Sequence, residues 1–306
     1  MPLLSASDTS EDTPERVELG RRLFFEKQLS RDGSIDCASC HDPRKGWSSG
    51  APQAVGIGGA LTPRNPPSLV NVRYHFDYFW DGRAPRLEQA VTAPIEHPDE
   101  MDLPLDEAAE RLNASERYTA EFESAFGEPA SPETIASALA AFVRSLVAGD
   151  APVDRYRSGD LAALSEAARR GHDVFMFRAN CQMCHRGPMF SDGDYHNLGV
   201  GMERDPPDKG RAAVTGDELY QLGAFRTPSL RDVARTAPYM HDGRFETLEE
   251  VVEFYEKGGF LNAFRMPMLN VVPLTEQEKS DLVAFLKEGL TSSNYPAIAA
   301  PADPLD

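Results

Sequence analysis

No apolar run in this chain approaches about 18 residues, so no segment reads as a membrane-spanning helix. Positive charge is also short. There are 31 Lys and Arg against 49 Asp and Glu, a formal net charge of −18 over 306 residues. That balance argues against nucleic acid or an anionic membrane surface as a partner and suits a partner with a basic face; acidity that only keeps the chain in solution explains it equally well. Strand-like alternation is almost missing, which leaves an all-α fold with long loops. The opening Met1-Pro2-Leu3-Leu4-Ser5 has neither a basic n-region nor an apolar h-region, so the numbering reads as that of a processed or truncated form.

Cysteine is absent everywhere except in two stretches, Cys37-Ala38-Ser39-Cys40-His41 and Cys181-Gln182-Met183-Cys184-His185. Each reads C-x-x-C-H, the attachment signature of c-type haem. The two thiols of each motif can form thioethers to the haem vinyl groups, and the adjacent His41 or His185 can then reach the iron. A zinc site would need its four ligands in one cluster, whereas here each cysteine pair has its own histidine and the pairs lie far apart. A thioredoxin-like redox pair would not place a histidine after both second cysteines. The reading is a dihaem c-type cytochrome with two covalently bound haem c groups. Their propionates make the chain still more acidic. Because haem c is attached outside the cytoplasm, an exported, periplasmic protein is expected.

Residues 1–14 are polar and acidic and read as a disordered N-terminus. Helical patterns follow from Glu15, over 104–126 and 132–148, over 161–177 and over 247–257, and a last helix opens at the capping box Thr275…Glu278. Residues 42–67 and 186–222 are rich in Gly, Pro and Asp and read as loops. An internal repeat runs through the chain. Gly20-x-x-Leu23-Phe24 precedes the first haem motif as Gly171-x-x-Val174-Phe175 precedes the second. Pro67-Ser68-Leu69 matches Pro228-Ser229-Leu230, and Asp81-Gly82-Arg83 matches Asp242-Gly243-Arg244. The expected architecture is two tandem cytochrome c-like domains, 15–157 and 158–292, with one haem in each, followed by a C-terminal tail over 293–306.

The repeat exposes an asymmetry. Tyr255 falls on the apolar stripe Leu248, Val251, Val252, Tyr255, and the equivalent position in the first half is Pro94. Proline cannot ligate iron, and the loop 42–67 contains no His or Met. If Tyr255 caps the second haem, the first haem has no equivalent cap. A tyrosine on such a stripe also reads as ordinary core, with Met240, Met266 or Met268 as rival ligands.

The collinear set Leu19-Gly20-Arg21-Arg22-Leu23-Phe24, the two C-x-x-C-H motifs, Arg64-Asn65-x-Pro67-Ser68-Leu69, Phe79-Trp80-Asp81-Gly82-Arg83-Ala84, Pro94-x-x-x-Pro98-x-Glu100-Met101, Tyr195-His196-Asn197 and Pro238-Tyr239-Met240-His241 resembles the bacterial dihaem cytochrome c peroxidase/MauG superfamily over roughly 15–290. Phe254-Tyr255-x-Lys257 is similar to the MauG-type branch, in which tyrosine rather than methionine caps the second haem. The resemblance implies several roles. Glu100 would move the peroxide proton, with Glu96 and His97 as runners-up and a solvated acidic run as the alternative. Trp80 would relay electron holes between the haems, or serve only as a core aromatic. Asn65, Thr236 and Pro238 would hold one Ca²⁺ through a side-chain oxygen and two carbonyls. A family glutamine expected before Pro94 aligns with Ala90, with Gln89 one position off. The surface tryptophan of MauG aligns with Ala179, which implies a different substrate or docking route.

The resemblance implies a peroxidase that reduces H₂O₂ at the open first haem, stores two oxidising equivalents over both haems, and oxidises a partner, such as a protein Trp or Tyr. A detoxifying peroxidase fed by a small cytochrome c or copper protein is the second reading, and a dihaem electron carrier without peroxide chemistry the third.

Overall fold

The computed structural model describes residues 11–300; residues 1–10 and 301–306 of the expected termini lie outside it. The helices of eight residues or more are α1 (Pro14–Phe24), α2 (Leu87–Glu96), α3 (Leu105–Asn113), α4 (Glu116–Phe126), α5 (Pro132–Ser145), α6 (Glu166–Asp173), α7 (Leu248–Glu256) and α8 (Glu276–Ala284). Sheet among the described residues is limited to a two-residue antiparallel pair, Tyr195–His196 with Phe225–Arg226. The helix-rich, sheet-poor architecture agrees with the sequence reading.

Local chemistry sets the helix boundaries. Ser131 and Thr134 form a capping box at α5, with Pro132 at its first position. Thr247 with Glu250 and Thr275 with Glu278 do the same for α7 and α8. Each box satisfies backbone N–H groups that the first turn would otherwise leave unpaired. The stretch 104–126 is two helices rather than one, because the Ser115 side chain accepts from the Tyr118 N–H and starts a new cap. The stretch 161–177 becomes helical only at Glu166, after the Ser165 cap, and it closes in a widened π turn, Val174–Arg178.

Two hydrophobic cores form, and they divide near Gly149. In the first, Phe24, Trp47 and Phe142 meet with ring centroids 5.3–5.9 Å apart. In the second, Phe175, Phe190 and Phe285 repeat the trio at 5.4–6.4 Å. The same element pairs build both cores: α1 lies on α5, and α6 lies on α8. The approach is so close that only glycine fits. A Cβ on Gly20 would sit 1.8 Å from the Ala138 carbonyl oxygen, and one on Gly171 would sit 1.9 Å from that of Asp281. The sequence repeat is therefore a structural repeat.

The N-terminal expectation is corrected where residues are described, and the C-terminal tail is held as well. Residues 11–14 are not frayed: Asp12 pairs with Arg144 at 2.8 Å, and Thr13 caps α1. The tail is not free either. Residues 293–300 return to the first half, where the Trp47 indole N–H donates to the Pro296 carbonyl (3.0 Å), the Gly149 N–H donates to Asn294 Oδ1 (2.7 Å), and Tyr295 and Ile298 pack on the first core. An ion pair and a cap hold the first end, hydrogen bonds and packing hold the second, and composition alone reveals neither.

The halves meet through a reciprocal pair of backbone hydrogen bonds. The Asn65 N–H donates to the His241 carbonyl (2.7 Å), and the Arg226 N–H donates to the Trp80 carbonyl (2.8 Å). The offset that matches Pro67 with Pro228 also matches Asn65 with Arg226 and Trp80 with His241. The two bonds are thus one contact used twice about a local pseudo-twofold axis. Arg64 adds ion pairs to Asp81 and Asp208, both 2.7 Å, across the junction.

Gly171→Ala should lower the stability of the holoprotein by about 1–3 kcal/mol or more, because the new methyl meets backbone that cannot yield. A thermal melt checks this; an unchanged midpoint would mean that the α6–α8 approach is looser than described.

Candidate active site

A cavity lies against each C-x-x-C-H motif. The first, about 130 Å³, is lined by Cys37, Cys40, His41, Ala90, Pro94 and Glu100 among others. The second, about 290 Å³, is lined by Cys181, Cys184, His185, Trp80, His241 and Tyr255 among others.

The two histidines are held alike. His41 Nδ1 lies 3.1 Å from the Trp47 carbonyl oxygen, and His185 Nδ1 lies 2.9 Å from that of Phe190. A carbonyl only accepts, so Nδ1 carries the proton and Nε2 keeps its lone pair. Trp47 and Phe190 have left-handed backbones, φ 57° and 51°, which aim those carbonyls back at the rings. Burial pushes the His41 imidazole down to about 4 and lowers that of His185 as well, so both are neutral at pH 7. Burial also pushes the Cys40 and Cys184 thiols up to about 11, and raises Cys37 and Cys181 too. Two protonated thiols and a neutral, oriented imidazole facing one cavity fit a covalently attached haem better than a thiolate metal centre. Cys184, Asp192 and His196 bring ligand atoms within 4.8 Å of one another. That cluster shares its cysteine with the haem motif, and its His196 Nε2 is already 3.0 Å from Asp192.

In the first cavity, Pro94 and Glu100 share the wall with His41. Pro94 lies inside α2, a helix that the sequence reading did not delineate. The Glu100 carbonyl accepts from the Ile57 N–H (2.8 Å), and Gly56 lies so close to Asp99 that a Cβ there would be 2.0 Å from its carbonyl oxygen. The Gly-rich loop thus presses on the turn that carries Glu100. Burial raises the Glu100 carboxyl above its ordinary value, with the charges of His97 and Arg83 opposing. His97 Nδ1 lies 4.0 Å from the carboxylate, while Glu96 is exposed and lines neither cavity. Ala90 faces the cavity and Gln89 is exposed, so a methyl stands where the resemblance implies an amide.

In the second cavity, Tyr255 projects from α7 among Leu248, Val251 and Val252. Burial raises its phenol strongly, and the neighbouring Cys181 and Cys184 add to the effect. Such a phenol loses its proton only against a compensating cation. Met240, Met266 and Met268 line the same cavity, and Met268 is 56% exposed. Trp80 lies edge-on to His241 at 6.4 Å, His241 stacks on Phe225 at 3.5 Å, and the Trp80 indole N–H donates to the Asn65 carbonyl (2.8 Å). Asn65, Thr236 and Pro238 all line this cavity, and their oxygen donors include no carboxylate. Ala179 lines the cavity beside the exposed Phe177.

Pro67, Ser68, His75 and Arg226 line both cavities, so the two share one wall. Sequence reasoning passed over His75 and Arg226. The repeat held the signal, since Arg226 occupies the place of Asn65 and His75 that of Thr236.

A sequence profile described as di-haem cytochrome c peroxidase matches residues 14–162. The chain is 41% identical over 278 residues to the methylamine utilization protein MauG of Methylorubrum extorquens, covering 90% of this chain and 78% of that protein. It is 37% identical over 307 residues to the cytochrome-c peroxidase IdrP1 of Denitromonas iodatirespirans, covering 90% and 81%. A solved MauG-like protein associated with microbial copper homeostasis superposes with a TM-score of 0.85 at 35% identity, covering 92% of this chain and 90% of that one. With its two haem-attachment motifs facing two adjoining cavities, this chain belongs to the dihaem cytochrome c peroxidase/MauG family and is a haem-dependent peroxidase.

Proposed function

We propose that the protein is a peroxidase of the MauG type, with an open iron in the first half (15–157) and a Tyr255-capped iron in the second (158–292). The observation that carries this reading is the asymmetry within the repeat: Pro94 faces the first cavity, whereas Tyr255 faces the second. Two bound haems would supply the redox chemistry by which H₂O₂, two protons and two electrons from a partner become two waters.

The protein's own part follows from the geometry. His41 and His185, with Nδ1 engaged by a carbonyl, would hold the two irons through Nε2. Pro94, on the wall of the first cavity, would offer the first iron no ligand. Glu100, kept above the ordinary carboxylate range by burial, would take a proton from one peroxide oxygen and deliver it to the other, so that the second leaves as water. Tyr255 would ionise only against a bound ferric iron, and as a phenolate ligand it would favour the oxidised states of the second site. Trp80, braced by Asn65, passes holes between the halves. Asn65, Thr236 and Pro238 hold a Ca²⁺ through hard oxygen donors. The partner is a reductant with a basic face, such as a protein whose Trp or Tyr is oxidised, and haem c attachment makes the periplasm the working location. Relatives named as cytochrome-c peroxidases favour a second reading, a detoxifying enzyme that sustains turnover with a reduced small cytochrome c or cupredoxin.

Two experiments test this. One equivalent of H₂O₂ added to the fully ferric enzyme, with no reductant, should give a state that takes up two electrons on back-titration. Tyr255→Met should abolish that state and raise the potential of the second haem. If Tyr255→Phe leaves the low-spin haem spectrum intact, one of the methionines is the ligand and the assignment fails. For Glu100, the rate of peroxide reaction should rise with pH through a value above the ordinary carboxylate range, and that limb should vanish in Glu100→Gln. Gly56→Ala, which displaces the turn bearing Glu100, should slow the same step roughly tenfold to a hundredfold; stopped-flow rates equal to wild type in both variants would remove Glu100 from the mechanism.

A further inference from the structure

The wall shared by the two cavities carries two polar side chains that each bury a nitrogen without a hydrogen-bond partner. Arg226 is 8% exposed, and its Nε has no hydrogen-bond partner. Its carboxylate neighbour, Asp77, lies 3.9 Å away and already accepts the Tyr195 hydroxyl. His75 Nε2 is likewise shut off from solvent and unpartnered. A buried guanidinium whose carboxylate neighbour stands at the edge of ion-pair range and is shared with another donor is only partly compensated, so the cavity beside it has a place for an anion. Burial, with the charge of Arg226, lowers the His75 imidazole well below its usual value and leaves it neutral.

The repeat makes the same point independently. The offset that pairs Trp80 with His241 pairs Arg226 with Asn65, His75 with Thr236 and Asp77 with Pro238. These are the pseudosymmetric counterparts of the three residues assigned to Ca²⁺. On one side of the local axis the wall offers oxygen donors for a metal cation; on the other it supplies a fixed cation of its own, which calls for an anionic ligand.

We propose that Arg226 and His75 form a carboxylate-binding site on the shared wall that takes a haem propionate from each cavity, and so ties the reduction potentials of the two irons together. The inference rests on each cavity holding a haem c. A guanidinium presents paired N–H donors that match a carboxylate, and the free imidazole nitrogen of His75 adds one more donor. Positive charge beside a haem favours its reduced form, so one residue facing both cavities acts on both potentials. Arg226 and His75 are positioning residues; neither meets peroxide.

The test uses the holoenzyme, with pyridine haemochrome confirming two haems per chain; a count below two would strike the underlying reading rather than this inference. In Arg226→Gln, spectroelectrochemistry should show both midpoint potentials moving downward and resonance Raman should show both propionate-bending bands shifting, with Arg226→Lys restoring the potentials in part. His75→Leu, which leaves the charge in place, should shift the same bands with a smaller fall in potential, and it keeps the test open if Arg226→Gln does not mature. Acetate titrated into the wild-type enzyme should move neither potential. A shift at only one haem, no shift at either, or a saturable response to acetate would overturn the proposal, the last by giving the site to a soluble anion.

Discussion

The arrangement of the whole molecule depends on the paired contact at its centre, Asn65 N–H to His241 and Arg226 N–H to Trp80. Each bond is worth only about 1 kcal/mol net. Their value is geometric: because the same contact is made twice, the two halves can meet in one orientation and their cavities share a wall. Arg64, bound to both Asp81 and Asp208, fixes the same orientation. Buried ion pairs of this kind give little net stability, and here they restrict how the halves pack. Electron exchange between two metal sites needs that restriction, because it depends on distance more than on any single residue.

Within this near-symmetric frame, function comes from places where the repeat is broken. The cores are interchangeable, trio for trio and glycine for glycine. The sites are not. Pro94 answers Tyr255, Trp80 answers His241, and Asn65 answers Arg226. Each exchange puts a different side chain at an equivalent place while leaving the scaffold alone. The loop over 42–67 shows the same economy: with no ligand residue to offer, it presses Gly56 and Ile57 against the turn that carries Glu100.

Much of this was legible in the sequence because it rests on local chemistry. Haem attachment needs two thiols and a histidine at fixed spacing, a capping box needs Thr and Glu three residues apart, and the close approach of Gly20 and Gly171 leaves a glycine in each half. What was not legible depends on tertiary environment. Helix α2 contains Pro94 in its last turn, a residue that reads as a stop. The segment 293–300 looks like a tail until the Trp47 indole needs an acceptor. His75 and Arg226 look like ordinary loop polar residues, and only burial without a partner sets them apart. The sequence raised Glu100 against Glu96 and His97, and the described cavity walls include only the first of the three.

The central claim is that one iron is open and the other capped by Tyr255, and electron paramagnetic resonance of the ferric protein as isolated reads this directly. The account predicts one high-spin haem, five-coordinate or water-bound, together with one six-coordinate low-spin haem. Two low-spin haems, each with a strong protein ligand on both faces, would contradict it.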